Sequence, residues 1–172
     1  MTKNKPEKPF VFMIAVITAD GFIAKNSKHT PVGWTSKEDK EFFKRKTKEA
    51  GVVVMGSNTY EVMSRPLEDR LNIVYSRDKQ YDGAETTRAE PKDLIEDLTK
   101  RGYKKIAICG GSTIYTMFME SGMVDKLYLT IEPIVFGAGL SLFNKEFDVK
   151  LELLSNKQIG ENTILLEYNV IK

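Results

Sequence analysis

Soft metal ligands are almost missing from this sequence, which holds one cysteine and one histidine in 172 residues. Cys109 has no partner for an internal disulfide, so stability must come from packing, and a reducing, cytoplasmic setting is expected. A zinc site of the usual imidazole and thiolate ligands lacks its donors. Excess charge is missing too. The 26 basic and 24 acidic residues leave a net +2, which argues against a nucleic-acid-binding role. The densest basic run, Lys44-Arg45-Lys46-Thr47-Lys48, is flanked by Glu41 and Glu49 and reads as a solvated helix face. No apolar run approaches the roughly 20 residues of a membrane span. The charged start has no apolar segment of signal-peptide type behind it. Residues 1–9 read as a disordered tail and residues 10–172 as one domain, long enough to bury about 70% of its unfolded surface.

Short apolar runs dominate what is present. Phe10–Ile17, Val52–Met55, Leu71–Tyr75 and Lys105–Cys109 are rich in Val and Ile and lack polar alternation, as do strands covered on both faces. Between them the pattern predicts helices over Ser36–Ala50, Thr59–Met63, Pro91–Arg101 and Ser112–Glu120. This alternation implies an α/β fold of three layers, with a mainly parallel central sheet and helices on both faces. The last third differs. A strand over Lys126–Val135 is followed by a Phe136–Gly139 loop. Val149–Leu154 and Thr163–Ile171 alternate around a turn at Asn156–Asn162, so the sheet should finish in an antiparallel hairpin.

Three places carry potential chemistry. Thr35-x-x-Glu38 and Ser36-x-x-Asp39 are overlapping capping boxes at a helix start. Asp39 therefore reads as a first-turn acid favoured by the helix dipole. Phe42, Phe43 and Ala50 share its face, however, which makes it equally a desolvated carboxylate with a raised pKa and a need for a partner. Ile106–Tyr115 runs from a strand through Gly110-Gly111 into a helix opening at Ser112. Val53–Tyr60 repeats this with Gly56, Ser57, Asn58 and Thr59. Either is a plain tight turn or a phosphate-binding helix start; two at one sheet edge would suit a dinucleotide. Arg77, after a third strand, is a surface arginine or a ligand to a ribose 2′-phosphate. The spacing is not that of the G-x-G-x-x-G fingerprint.

Taken in order, Trp34-Thr-Ser-Lys-Glu-Asp39 with Phe43, Val54-Met-Gly-Ser-Asn-Thr-Tyr-Glu61, Ser64-Arg-Pro-Leu67, Arg70–Arg77, Cys109-Gly-Gly-Ser-Thr-Ile-Tyr115 and Leu127-Tyr-Leu-Thr-Ile131 resemble dihydrofolate reductase. The resemblance covers nearly everything from Phe10 onward. It implies NADPH-dependent reduction of 7,8-dihydrofolate to tetrahydrofolate by a monomer or homodimer, with a small molecule rather than nucleic acid or membrane as partner. It implies that Asp39, Trp34 and Thr130 are catalytic, Asp39 holding the pterin and Thr130 bonding that acid. Ile14, Ala15, Phe43, Met63 and Leu67 would line the substrate, and Arg70 would grip its glutamate α-carboxylate. The cofactor would contact Ala15, Ala24, Gly56, Ser57, Asn58, Thr59, Ser76, Arg77 and the run Cys109, Gly110, Gly111, Ser112, Thr113, Ile114 and Tyr115. The family pattern joins Gly110 and Gly111 by a cis peptide.

The chain also departs from the pattern. Ala24 stands where glycine is usual, Lys25–Gly33 is about three residues longer than in compact relatives, and Gly33 replaces a proline. Ser57 replaces a frequent basic residue, leaving Arg77 to carry most 2′-phosphate recognition. Glu132–Phe143 lacks the usual Gly-Asp and resembles the reductase domain of riboflavin biosynthesis, a relative that uses NADPH on a phosphorylated ribosylamino-pyrimidine. That activity is the alternative reading.

Overall fold

Val11 through Ala15 and Val52 through Met55 lack polar alternation, and the computed structural model, which describes residues 7–172, buries every one of them. Its strands are β1 (Phe10–Thr18), β2 (Phe22–Ala24), β3 (Val52–Gly56), β4 (Leu71–Tyr75), β5 (Glu85–Thr87), β6 (Lys105–Ile108), β7 (Lys126–Glu132), β8 (Leu140–Ser141), β9 (Leu151–Gln158) and β10 (Ile164–Val170). The helices are α1 (Lys37–Ala50), α2 (Ser57–Met63), α3 (Pro91–Lys100) and α4 (Ser112–Glu120), with a 3-10 turn at Pro31–Gly33. Of the expected tail, residues 1–6 lie outside the described residues. Pro9 is buried, and Lys8 pairs with Asp125 at 3.2 Å.

The main sheet runs β5-β4-β3-β6-β1-β7-β10-β9. Pairs from β5 through β7 are parallel, and β10 lies antiparallel to both β7 and β9. The α/β class and the antiparallel finish are as expected. Residues alternate between two cores. Phe12, Ile14, Met55 and Tyr128 pack with Phe42 of α1 and Tyr60 of α2. Val11, Met13 and Ile106 pack on the opposite face with Leu94 and Leu98 of α3 and Phe118 of α4. Among the described residues, no helix is long and apolar enough to cross a membrane.

Where boundaries differ, local chemistry explains it. β7 stops at Glu132, short of the expected Val135, because Pro133 has no N–H for the ladder and Ile134 N–H turns back to the Glu132 carbonyl at 2.8 Å. β9 continues through Gln158, so Asn156–Gln158 pair with Leu166–Ile164 and the turn shrinks to residues 159–163. β2, β5 and β8 have only three, three and two residues, too few to show a period. β2 pairs with β8 beside a loop held by Asp20, whose carboxylate accepts the Phe136 and Gly137 N–H groups at 3.1 and 2.7 Å.

Candidate active site

Helix α1 is set by its ends. Ser36 is the N-cap, its hydroxyl accepting the Asp39 N–H at 3.1 Å, and Gly51 closes the helix at φ +74° with its N–H on the Thr47 carbonyl. The other expected box does not form, because the Thr35 hydroxyl donates to the Pro31 carbonyl at 2.9 Å. Asp39 is the third residue of the helix, where a capping-box acid would reach back to the N-cap N–H. That N–H is already donated to Glu132 Oε1 at 2.7 Å. Asp39 is buried, and its pKa is pushed up from 3.8 to about 6. Burial is the main cause. The Thr130 hydroxyl and the Lys40 ammonium oppose it, and the neighbouring Glu132 charge adds to it. The two readings of Asp39 thus separate: it begins a helix, yet it is a desolvated acid.

Thr130 lies on β7, two residues before Glu132 and on the same sheet face. Both are almost fully buried. Phe43 of α1, Met63 of α2 and Leu67 pack half-buried on the core that contains Ile14, so α1 and α2 form two walls over β1. Arg70 is tied to α1, its Nη1 donating to the Thr47 hydroxyl at 2.7 Å, while its Nε donates to the Glu68 carbonyl of its own loop at 2.8 Å. The buried Asn72 amide shapes the loop before β4. It accepts the Leu67 N–H and donates to the Leu67 and Arg70 carbonyls, each at 2.9 Å. Trp34 packs edge-on to Phe136 with centroids 5.2 Å apart and stacks with His29. Its buried indole N–H has no hydrogen-bond partner among the described residues.

The two strand-to-helix turns meet, as β3 and β6 are neighbours. Gly56 N–H donates to the Gly110 carbonyl at 2.8 Å. A Cβ on Gly56 would stand 3.2 Å from the Ile114 side chain, and one on Gly111 would stand 3.3 Å from Thr59 Oγ1. The Gly110–Gly111 peptide is cis, and Gly110 sits at φ +102° against the Tyr115 ring. Gly111 is the N-cap of α4 and supplies no side-chain acceptor, so first-turn N–H groups lack a side-chain cap. Beyond these turns, Ser76, Arg77, Lys79, Thr87 and Arg88 line a polar cleft of about 240 Å³.

Several expected cofactor residues offer backbone only. Ile114 is buried, and the Tyr115 hydroxyl is committed to the Ile14 carbonyl at 2.7 Å. Cys109 is buried, its thiol pushed up to about 12 by desolvation. The Ser112 hydroxyl donates to the Ser141 carbonyl at 2.7 Å, and Thr113 Oγ1 accepts from Asn144 at 3.0 Å. Ala24 lies in β2 with its carbonyl against Gly139, and Ala15 is buried in β1 beside Ile14. Asn58 is exposed, with Ser57 half-buried on the same first turn of α2. The sequence reading missed Glu132, Thr47, Asn72 and Arg88. Only Glu132 had a signal, the period-two run Tyr128, Thr130, Glu132.

With this geometry, the chain belongs to the dihydrofolate reductase family, whose model, described as dihydrofolate reductase, matches residues 10–146. A Caenorhabditis elegans protein that carries a provisional dihydrofolate reductase name is 30% identical over 176 residues, covering 93% of this chain and 91% of its own length. The dihydrofolate reductase of Enterococcus faecalis, solved with NADP(H) and RAB-propyl, superposes with a TM-score of 0.78. Its identity is 22%, over 96% of this chain and 98% of that one. The diaminohydroxyphosphoribosylaminopyrimidine deaminase/5-amino-6-(5-phosphoribosylamino)uracil reductase of Thermotoga maritima superposes at 0.76 with 15% identity, over 95% of this chain and 57% of its own. The two solved structures show a shared fold, and the family is one of reductases.

Proposed function

We propose that the protein reduces 7,8-dihydrofolate to 5,6,7,8-tetrahydrofolate with NADPH. The observation that carries the reading is Asp39, a carboxyl buried at the start of α1, on the core that Phe43, Met63 and Leu67 partly cover, where burial pushes its pKa up to about 6. A protonated fraction of about one in ten remains at pH 7, enough to hold and pass a proton. The carboxyl would hydrogen-bond the pterin amino group and ring nitrogen and promote protonation at N5. Arg70 offers the rest of its planar guanidinium to the glutamate carboxylate, and the orphaned Trp34 N–H is a donor left for a ligand or its water.

The residues fit NADPH. Bare glycine backbone at Gly56, Gly110 and Gly111, the uncapped start of α4, and a cleft holding Arg77 and Arg88 suit its phosphates and 2′-phosphate. When bound, the cofactor supplies the hydride that C6 of the substrate accepts. The chain's own work is to orient the pterin, exclude water and manage the proton.

A second reading, reduction of the phosphorylated ribosylamino-pyrimidine of riboflavin biosynthesis, is favoured by the Phe136–Phe143 segment, which is stitched to β2 and Asp20. The test is loss of nicotinamide absorbance when purified protein meets NADPH with each substrate in turn. Turnover of dihydrofolate supports the first reading. Turnover of the pyrimidine alone replaces it with the second.

A further inference from the structure

Glu132 is 2% exposed, and both of its carboxylate oxygens are occupied. Oε1 accepts the Ser36 N–H at 2.7 Å, and Oε2 accepts the Thr163 hydroxyl at 2.9 Å. A carboxylate this deep is costly unless its lone pairs are satisfied. The reaction proposed above does not touch it. Its surroundings explain its presence. An acid at the third helical position ordinarily bonds the N-cap N–H. In α1 that acceptor comes instead from β7, ninety-six residues on, and the same carboxylate also accepts the Thr163 hydroxyl.

We infer that Glu132 is a positioning residue for Asp39: by accepting the Ser36 N–H it frees the Asp39 carboxyl from capping α1. The inference rests on the reading of Asp39 as the active-site acid. The groups facing Asp39 are Lys40 on its own helix, Thr130 and Glu132 on β7, and Tyr115 on α4, whose hydroxyl is raised partly by the Asp39 charge. Glu132 is the neighbouring acid whose charge opposes ionisation of Asp39.

Glu132→Gln keeps an oxygen for Ser36 and a polar group for Thr163 while removing the charge. In ligand-free protein, carbon-13 NMR of the Asp39 carboxyl should show its midpoint falling from about 6 by roughly half to one pH unit. The descending limb of the pH–kcat profile should move down with it, costing roughly three- to tenfold in rate at pH 7.5. Glu132→Ala, which also abandons the Ser36 N–H, should lose thermal stability that Gln restores. An unmoved Asp39 midpoint in folded Glu132→Gln overturns the inference. Should that variant lose its fold, the wild-type titration decides. The Glu132 carboxyl resonance must shift in step with the Asp39 titration, as coupled neighbouring groups do. A Glu132 resonance blind to the Asp39 step also overturns the inference. These titrations need no substrate, so they stand apart from whether dihydrofolate turns over.

Discussion

Replacing Asp39 by Asn should make the protein more stable at neutral pH, although the substitution touches the first turn of its longest helix. The carboxyl pKa is about 6 in the fold against 3.8 unperturbed, an upward displacement of about two pH units. At 1.36 kcal/mol per unit this is about 3 kcal/mol. The sign follows from proton binding. The folded state holds the Asp39 proton more tightly than the unfolded chain, so the proton's contribution is complete below about pH 4. It is lost as pH rises through about 6. Above that, the fold carries a charge it disfavours. Asn is nearly isosteric, capable of the same hydrogen bond with Thr130, and never charged. The variant should therefore be more stable by up to about 3 kcal/mol at pH 7.5. That gain should shrink through pH 5–6 and vanish near pH 4. Urea unfolding at pH 4, 5.5 and 7.5 with a common m-value reads the difference directly. If Asp39 were chiefly a dipole partner, the variant would instead lose up to about 1 kcal/mol at pH 7.5, and that result would refute the reasoning. Activity should run the other way, with kcat falling steeply at neutral pH and partly recovering in acid, where solvent protonates the substrate unaided.

The remaining perturbations probe other parts of the molecule. Arg77→Ala should weaken NADPH binding by roughly tenfold and NADH binding little, with the difference shrinking as salt rises; fluorescence titration of both cofactors checks it, and equal losses would remove Arg77 from the 2′-phosphate. Arg88 lines the same cleft, so the double variant should lose more NADPH affinity than either single one. Arg70→Ala should raise KM for dihydrofolate and leave a pterin lacking the glutamate tail nearly unaffected, as steady-state kinetics with the two substrates would show. Gly139→Ala would drive its Cβ into the Ala24 carbonyl, backbone against backbone. The β2–β8 pair must shift, at about 1–3 kcal/mol, seen as a lowered Tm in a thermal scan.

The sheet was legible because its central strands obey a local rule. A strand covered on both faces must be apolar throughout, and Val11–Ala15 and Val52–Met55 advertise that without reference to anything distant. Helix ends were legible for the same reason, since Ser36 and Gly51 satisfy orphan backbone groups within one turn. What failed was whatever pairs residues far apart. β2 and β8 are too short for any period, and each exists because the other lies beside it. Thr47 and Asn72 looked like ordinary polar residues on a helix and a strand. Their roles depend on Arg70 and Leu67 arriving from a loop to accept or donate the bonds.

Asp39 shows the same limit at the scale of one side chain. Spacing alone placed it both at a helix start and on an apolar face, and these readings conflict: a capping acid is stabilised as an anion, a buried acid as a neutral group. No residue near it in sequence resolves the conflict. It is resolved by a carboxylate on β7, which occupies the N–H that would have drawn Asp39 into the cap. The strand that provides Thr130 to the acid's far side provides Glu132 to its helix. Register along β7 therefore fixes both at once, since positions two apart must face the same way. A one-residue slip of that strand would turn both away from α1 and leave Asp39 to collapse back onto Ser36, an ordinary capping box in place of a buried acid with a raised pKa.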